Sequence, residues 1–217
     1  MDNQSFSSKK ILLTTGILGM LLPFILTIGT QFYECKELQN AISTYYHTNM
    51  RDLFVGILFA MGITFFCYNG YDKYDKIASW FASISIICIA IFPTNNESTC
   101  LFGLKLNISN TSSYLHNISA TTLFITLAVM CLFLFTKSTP NPTEEKKVRN
   151  KIYKSCGIII FASLIFLAIY MNTNILRLQF GHWKPVFLFE SIMLLAFGFA
   201  WIVKGDLKCF KDSIHKN

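Results

Sequence analysis

Apolar residues in this chain come in long runs and not in alternation. Six runs stand out: Ile11–Ile28, Leu53–Tyr68, Ile77–Phe92, Ile118–Phe135, Ile152–Tyr170 and Val186–Val203. Crossing a bilayer as a helix takes about 20 mostly apolar residues, so each run is a spanning candidate. With their flanks they predict helices over 11–32, 50–68, 77–92, 117–136, 152–171 and 185–203. Pro93 stops the third, and Pro185 opens the sixth, where proline suits a first helical turn. No run alternates with period two over about ten residues, which argues against an outer-membrane barrel. The expected fold is all-α: a six-helix transmembrane bundle forming a single integral membrane domain over 1–217.

The first run follows Lys9-Lys10 like the core of a signal peptide, but it is long and no small-x-small cleavage site follows it. It is read as a retained helix. Composition agrees with a membrane chain. Of the 217 residues 53% are hydrophobic and only 14% charged, against about 25% charged in soluble domains. The net charge of +7 would suggest nucleic acid in a soluble protein. Here the basic residues sit in short loops, so they report topology, and no nucleic-acid partner is expected. With the N-terminus inside, only Lys36, Arg51, Lys105, Arg177 and Lys184 fall outside; the other 14 of the 19 lie inside. Both termini are therefore expected to be cytoplasmic. The polar linker Thr136–Lys151 reads as a solvated cytoplasmic loop. Tyr68, Tyr71, Tyr74, Trp80, Tyr153 and Trp201 are expected at the inner interface, Tyr33, Tyr45, Tyr46, Tyr114 and Trp183 at the outer one.

Candidate chemistry gathers on the outer side. His47, His116 and His182 each precede a helix that enters from outside. Three converging imidazoles would suit zinc, with Asp52 as a fourth ligand or a base; the plain alternative is three interfacial rings. If Ser43–Gly56 is helical, Ser43, His47 and Arg51 share a face. If the helix starts near Met50, His47 lies in a loop within reach of Asp52. Glu190 is the one acidic residue well inside an apolar run. A carboxylate there needs a partner, for which Arg51, Arg177 and His47 are candidates, or else takes up a proton. Together Glu190, Asp52, Arg51 and at least two of the three histidines are expected to line one outward cavity. Cys35 and Cys100 alone lie on outer loops, where a disulfide is permitted. Gly16, Gly19, Gly56, Gly62 and Gly198 are expected to let helices approach closely.

The stretch Ser43–Gly70, with Tyr45-Tyr46-His47-Thr48, Met50-Arg51-Asp52 and Phe54-Val55-Gly56, resembles a family of small, uncharacterised bacterial polytopic membrane proteins. Phe92-Pro93, His116, Phe135-Thr136-Lys137, Glu190 and Trp201-Ile202-Val203-Lys204-Gly205 extend the likeness over most of the chain. It implies a membrane fold in the bacterial plasma membrane and no particular activity. His, Asp and Ser are also shared with the seven-helix ceramidase and adiponectin-receptor group of zinc hydrolases. That group's paired H-x-x-x-H of a late helix is missing, and six helices are counted, not seven. Two function classes follow. One is a membrane-embedded metal-dependent hydrolase acting on a lipid. The other is a non-enzymatic protein, such as a sensor, a small transporter or an assembly partner, whose outward polar pocket takes a small molecule or lipid.

Overall fold

The computed structural model describes residues 2–33, 37–95 and 108–205, with side chains from Lys9 onward. Among the described residues it is all-helical, without a strand. Six long helices appear: α1 (Asp2–Gln31), α2 (Arg51–Cys67), α3 (Lys73–Ile91), α4 (Asn110–Val129), α5 (Glu144–Asn172) and, after the short α6 (Asn174–Phe180), α7 (Pro185–Lys204). A π-helical turn, Met130–Leu134, extends α4. Among the described residues five segments are long and apolar enough to cross a membrane: Lys9–Gln31, α3, α4 with its π turn, α5 and α7. The 17 residues of α2 span about 25 Å at 1.5 Å each, a little short of the roughly 30 Å hydrocarbon core.

Several helices begin earlier than their apolar runs because polar side chains cap them. At α3, Asp72 accepts the backbone N–H groups of Tyr74 and Asp75, and the Asp75 carboxylate accepts that of Asp72. This reciprocal box carries the helix four residues before Ile77. Ser109 caps α4 by accepting from Ser112 N–H. Thr143 caps α5 by accepting from Lys146 N–H, with Glu144 and Glu145 in the first turn, where the helix dipole favours negative charge. Half of the linker expected as a solvated loop is therefore the start of α5.

Neighbouring helices run antiparallel and close a ring in the order α1, α2, α3, α4, α5, α7 and back to α1. Where α1 and α7 cross, Gly16 and Gly198 face each other, and a Cβ on Gly198 would stand 2.6 Å from the Gly16 carbonyl oxygen. Gly62 makes a similar approach to Ile86 and Ile87 of α3, whereas Gly56 meets nothing within 4 Å and serves no close contact. Hydroxyls join the helices further. Ser79 and Ser83 of α3 donate to the carbonyls of Phe65 and Gly62 at 2.5 and 2.7 Å. Thr15 of α1 stands 2.6 Å from the Thr64 hydroxyl of α2.

The end of the ring where α2, α4 and α7 begin is called upper here. Toward the lower end the core is aromatic. Trp201 packs within 5.0–5.3 Å, centroid to centroid, of Phe65, Phe197, Phe135 and Tyr68. Trp201, Tyr153 and Tyr68 are buried inside the ring, as are Tyr45 and Tyr46 near the top. Of the expected interfacial rings Tyr33, Tyr71, Tyr74, Trp80, Tyr114 and Trp183 stand exposed. Outward faces carry bare Ile63, Phe66, Ile84, Phe133 and Ile158. Apolar surface distributed around a whole bundle is what a lipid solvent permits and water does not.

Candidate functional site

Residues 37–48 fold over the upper end of α7. The 3-10 turn Ile42–His47 precedes α2. Asn40 O accepts from Phe187 N–H at 3.0 Å, and Ile42 N–H donates to Glu190 Oε2 at 2.7 Å. Glu190 lies five residues into α7, about 7 Å below its start. It thus meets a backbone donor, and none of Arg51, Arg177 and His47 pairs with it. Among the described residues its other oxygen, Oε1, accepts no hydrogen bond.

Glu190 borders a cavity of ≈ 380 Å³ that opens on the ring's outer surface. Each flanking helix contributes residues at i, i+4 and i+7, which is the spacing of one helical face. These are Asn117, Thr121 and Phe124 from α4, Leu164, Ala168 and Met171 from α5, and Val186, Glu190 and Met193 from α7. His116, Ala41, Ser43 and Thr94 complete the upper wall. Asn117, Thr121, Ile165, Ala168 and Met171 are exposed, so the mouth lies between α4 and α5. A smaller hollow of ≈ 50 Å³ adjoins it toward the ring axis and shares Ser43, His116, Ala120, Phe124 and Glu190. Among the described residues no Lys or Arg lines either hollow.

His116 is buried, and its Nδ1 stands 2.8 Å from Phe92 O. A carbonyl only accepts, so Nδ1 carries the proton and Nε2 of the neutral ring is an acceptor. By the same reasoning His47 donates from Nε2 to Thr94 O at 2.8 Å. Both histidines thus hold the chain on either side of Pro93, where α3 ends. His47 reaches that carbonyl and not Asp52. Arg51 opens α2, its guanidinium donating to the Tyr46 hydroxyl at 2.8 Å and lying over that ring at 4.5 Å. Asp52 is exposed beside it. His182 is exposed in the turn Gly181–Trp183, its ring against Trp183. Of the expected set, Glu190 and His116 border one cavity and His47 supports its wall through Thr94. Arg51, Asp52 and His182 lie elsewhere. Among the described residues no three His, Cys, Asp or Glu side chains form a group that could hold a metal ion. Cys35 and Cys100 lie outside the described residues.

Sequence reasoning passed over Thr94, Asn117 and Thr121. The i, i+4 pair Asn117 and Thr121 was the available signal, but it stands among Ser112, Ser113, His116, Ser119 and Thr122 in the polar first half of α4. It also read 172–184 as loop, although α6 forms there with Ile175 and Leu178 exposed.

The lower end holds the other polar cluster. Lys137 Nζ stands 2.8 Å from Asp72 Oδ2 and 3.0 Å from Asp75 Oδ2. That ties the residues after α4 to the cap of α3. The Lys137 hydrogen bond, with backbone donors of the cap, holds the Asp72 carboxyl at about 2, below its ordinary 3.8.

The fold defines an all-helical chain whose five long apolar helices are compatible with an integral membrane protein. Beyond that class, no protein family, curated protein or solved structure matches it.

Proposed function

We propose that this is a six-span protein of the bacterial plasma membrane, with both termini cytoplasmic, whose upper cavity faces outward and binds a small molecule or lipid. The observation that carries this reading is the joint lining of one cavity by Glu190 of α7 and His116 of α4. Ionisable groups inside a membrane bundle are costly and tend to mark ligand or ion sites. The volume falls in the range of small-molecule pockets, about 300–1,000 Å³. Binding is favoured over passage, because the ring below the hollows is filled by Met61, Phe65, Phe197 and Trp201, all buried. The orientation rests on the 14 to 5 division of basic residues. Kinship with small bacterial membrane proteins, carried by the Tyr45–Gly56 motifs, belongs to the same proposal.

A membrane-impermeant maleimide tests the orientation. In a background cleared of native cysteines, Asn110→Cys, at the exposed upper start of α4, should react in intact cells. Thr139→Cys should react only after lysis. The reverse pattern would turn the protein over and place the cavity on the cytoplasmic side.

A further inference from the structure

We propose that the cavity accepts a protonated primary amine carried on an apolar chain, with the ammonium on Glu190 and the chain leaving between α4 and α5. This rests on the upper cavity being a binding site, and it names the ligand class.

Among the described residues the polar end of the site carries no positive charge. Glu190 uses Oε2 to accept from Ile42 N–H, and Oε1 is left toward the cavity. Among the described residues no Lys or Arg lines the walls. His116 donates its Nδ1–H to Phe92 O and so does not present that proton to Glu190. In its neutral form its other nitrogen accepts. A ligand group bearing several N–H donors and a positive charge fits this set: a carboxylate oxygen, an imidazole nitrogen and the Ser43 and Thr94 hydroxyls. A phosphate or carboxylate group would meet a like charge with no cation among the described residues to offset it.

Away from Glu190 the walls turn apolar: Phe124, Leu164, Leu167, Met171, Val186 and Met193. Leu164 lies eight residues before the end of α5, about 12 Å along the helix, within the span of the bilayer. The exposed lining residues, Ile165, Ala168 and Met171, sit on that outward face of α5. The mouth therefore opens sideways, at a depth where lipid tails and not water are the neighbours. An alkyl chain lying in this slot stays in apolar surroundings throughout.

The same ammonium chemistry is carried by a membrane amphiphile or by a water-borne amine. The probes that separate them are dodecylamine, dodecanol and butylamine, tested on the full-length protein in phosphatidylcholine nanodiscs, with empty discs subtracted. Dodecylamine should bind saturably, and at least tenfold more tightly than either of the others. Glu190→Gln keeps the shape and an acceptor for Ile42 N–H, and should weaken dodecylamine at least tenfold. Ala168→Trp adds bulk at an exposed mouth position, where the fold tolerates it, and should block binding. Equal affinity of wild type and Glu190→Gln would overturn the proposal, since His116 or a proton would then already satisfy the carboxylate. Butylamine binding as well as dodecylamine would overturn the sideways slot. Dodecanol matching dodecylamine, with Ala168→Trp still blocking it, would reject the amine yet keep the cavity. No probe bound, or binding indifferent to Ala168→Trp, would reject the cavity as well.

Discussion

Gly198→Ala is the sharpest test of how the ring closes. At the α1–α7 crossing, a Cβ on residue 198 would lie 2.6 Å from Gly16 O and 3.1 Å from Met20 N, and would overlap Met20 Cγ. The first of these falls 0.8 Å short of the 3.4 Å at which ordinary contact begins. The Met20 side chain can swing away, but the Gly16 carbonyl is backbone, so the helices must part or rotate. Overpacking of this kind costs about 1–3 kcal/mol. Alanine recovers roughly 0.5–1 kcal/mol of helix propensity. The net loss expected is about 1–2 kcal/mol, roughly a five- to thirtyfold fall in the folding equilibrium. Gly56→Ala is the control, because its Cβ meets nothing within 4 Å. Only the propensity gain applies there, so the variant should be roughly 0.5–1 kcal/mol more stable. Reversible unfolding by SDS in mixed micelles, followed by Trp fluorescence, reads both. Equal midpoints for Gly198→Ala and wild type, or a comparable loss in Gly56→Ala, would refute the argument from close approach.

Two further outcomes follow from the polar contacts. Asp72 has a folded pKa of about 2, below its ordinary 3.8, so its pairing with Lys137 stabilises above about pH 4 and is lost as pH falls toward 2. A carbon-13 NMR titration should find the Asp72 inflection near 2, and a higher one in Lys137→Met; an unmoved inflection would show that backbone donors alone set it. Removing both interhelical hydroxyls in Ser79→Ala/Ser83→Ala should cost about 1 kcal/mol in the same SDS assay, near 0.6 kcal/mol for each membrane hydrogen bond. An unchanged midpoint would mean that the unfolded helices satisfy these hydroxyls equally well.

The long apolar runs by themselves determined the helical class and the approximate position of every long helix. Twenty apolar residues have few ways to satisfy their backbone except as a helix in lipid. Helix starts were legible too, but in the polar flanks and not in the runs: Asp72 with Asp75, Ser109 and Thr143 are local caps. The half-buried Glu190 announced itself, since a lone carboxylate in such a run demands a partner or a proton. Its partner did not. Ile42 N–H lies 148 residues away, and a backbone donor carries no mark in the sequence. Likewise, nothing in the spacing of His47, His116 and His182 says that two of them hold the chain around Pro93 while the third stands exposed. Gly56 and Gly198 look equally suited to close packing, yet only Gly198 meets a neighbouring backbone. In each case the deciding quantity is which faces of distant helices meet. That is set by the order in which six helices close their ring, and only the tertiary structure contains it.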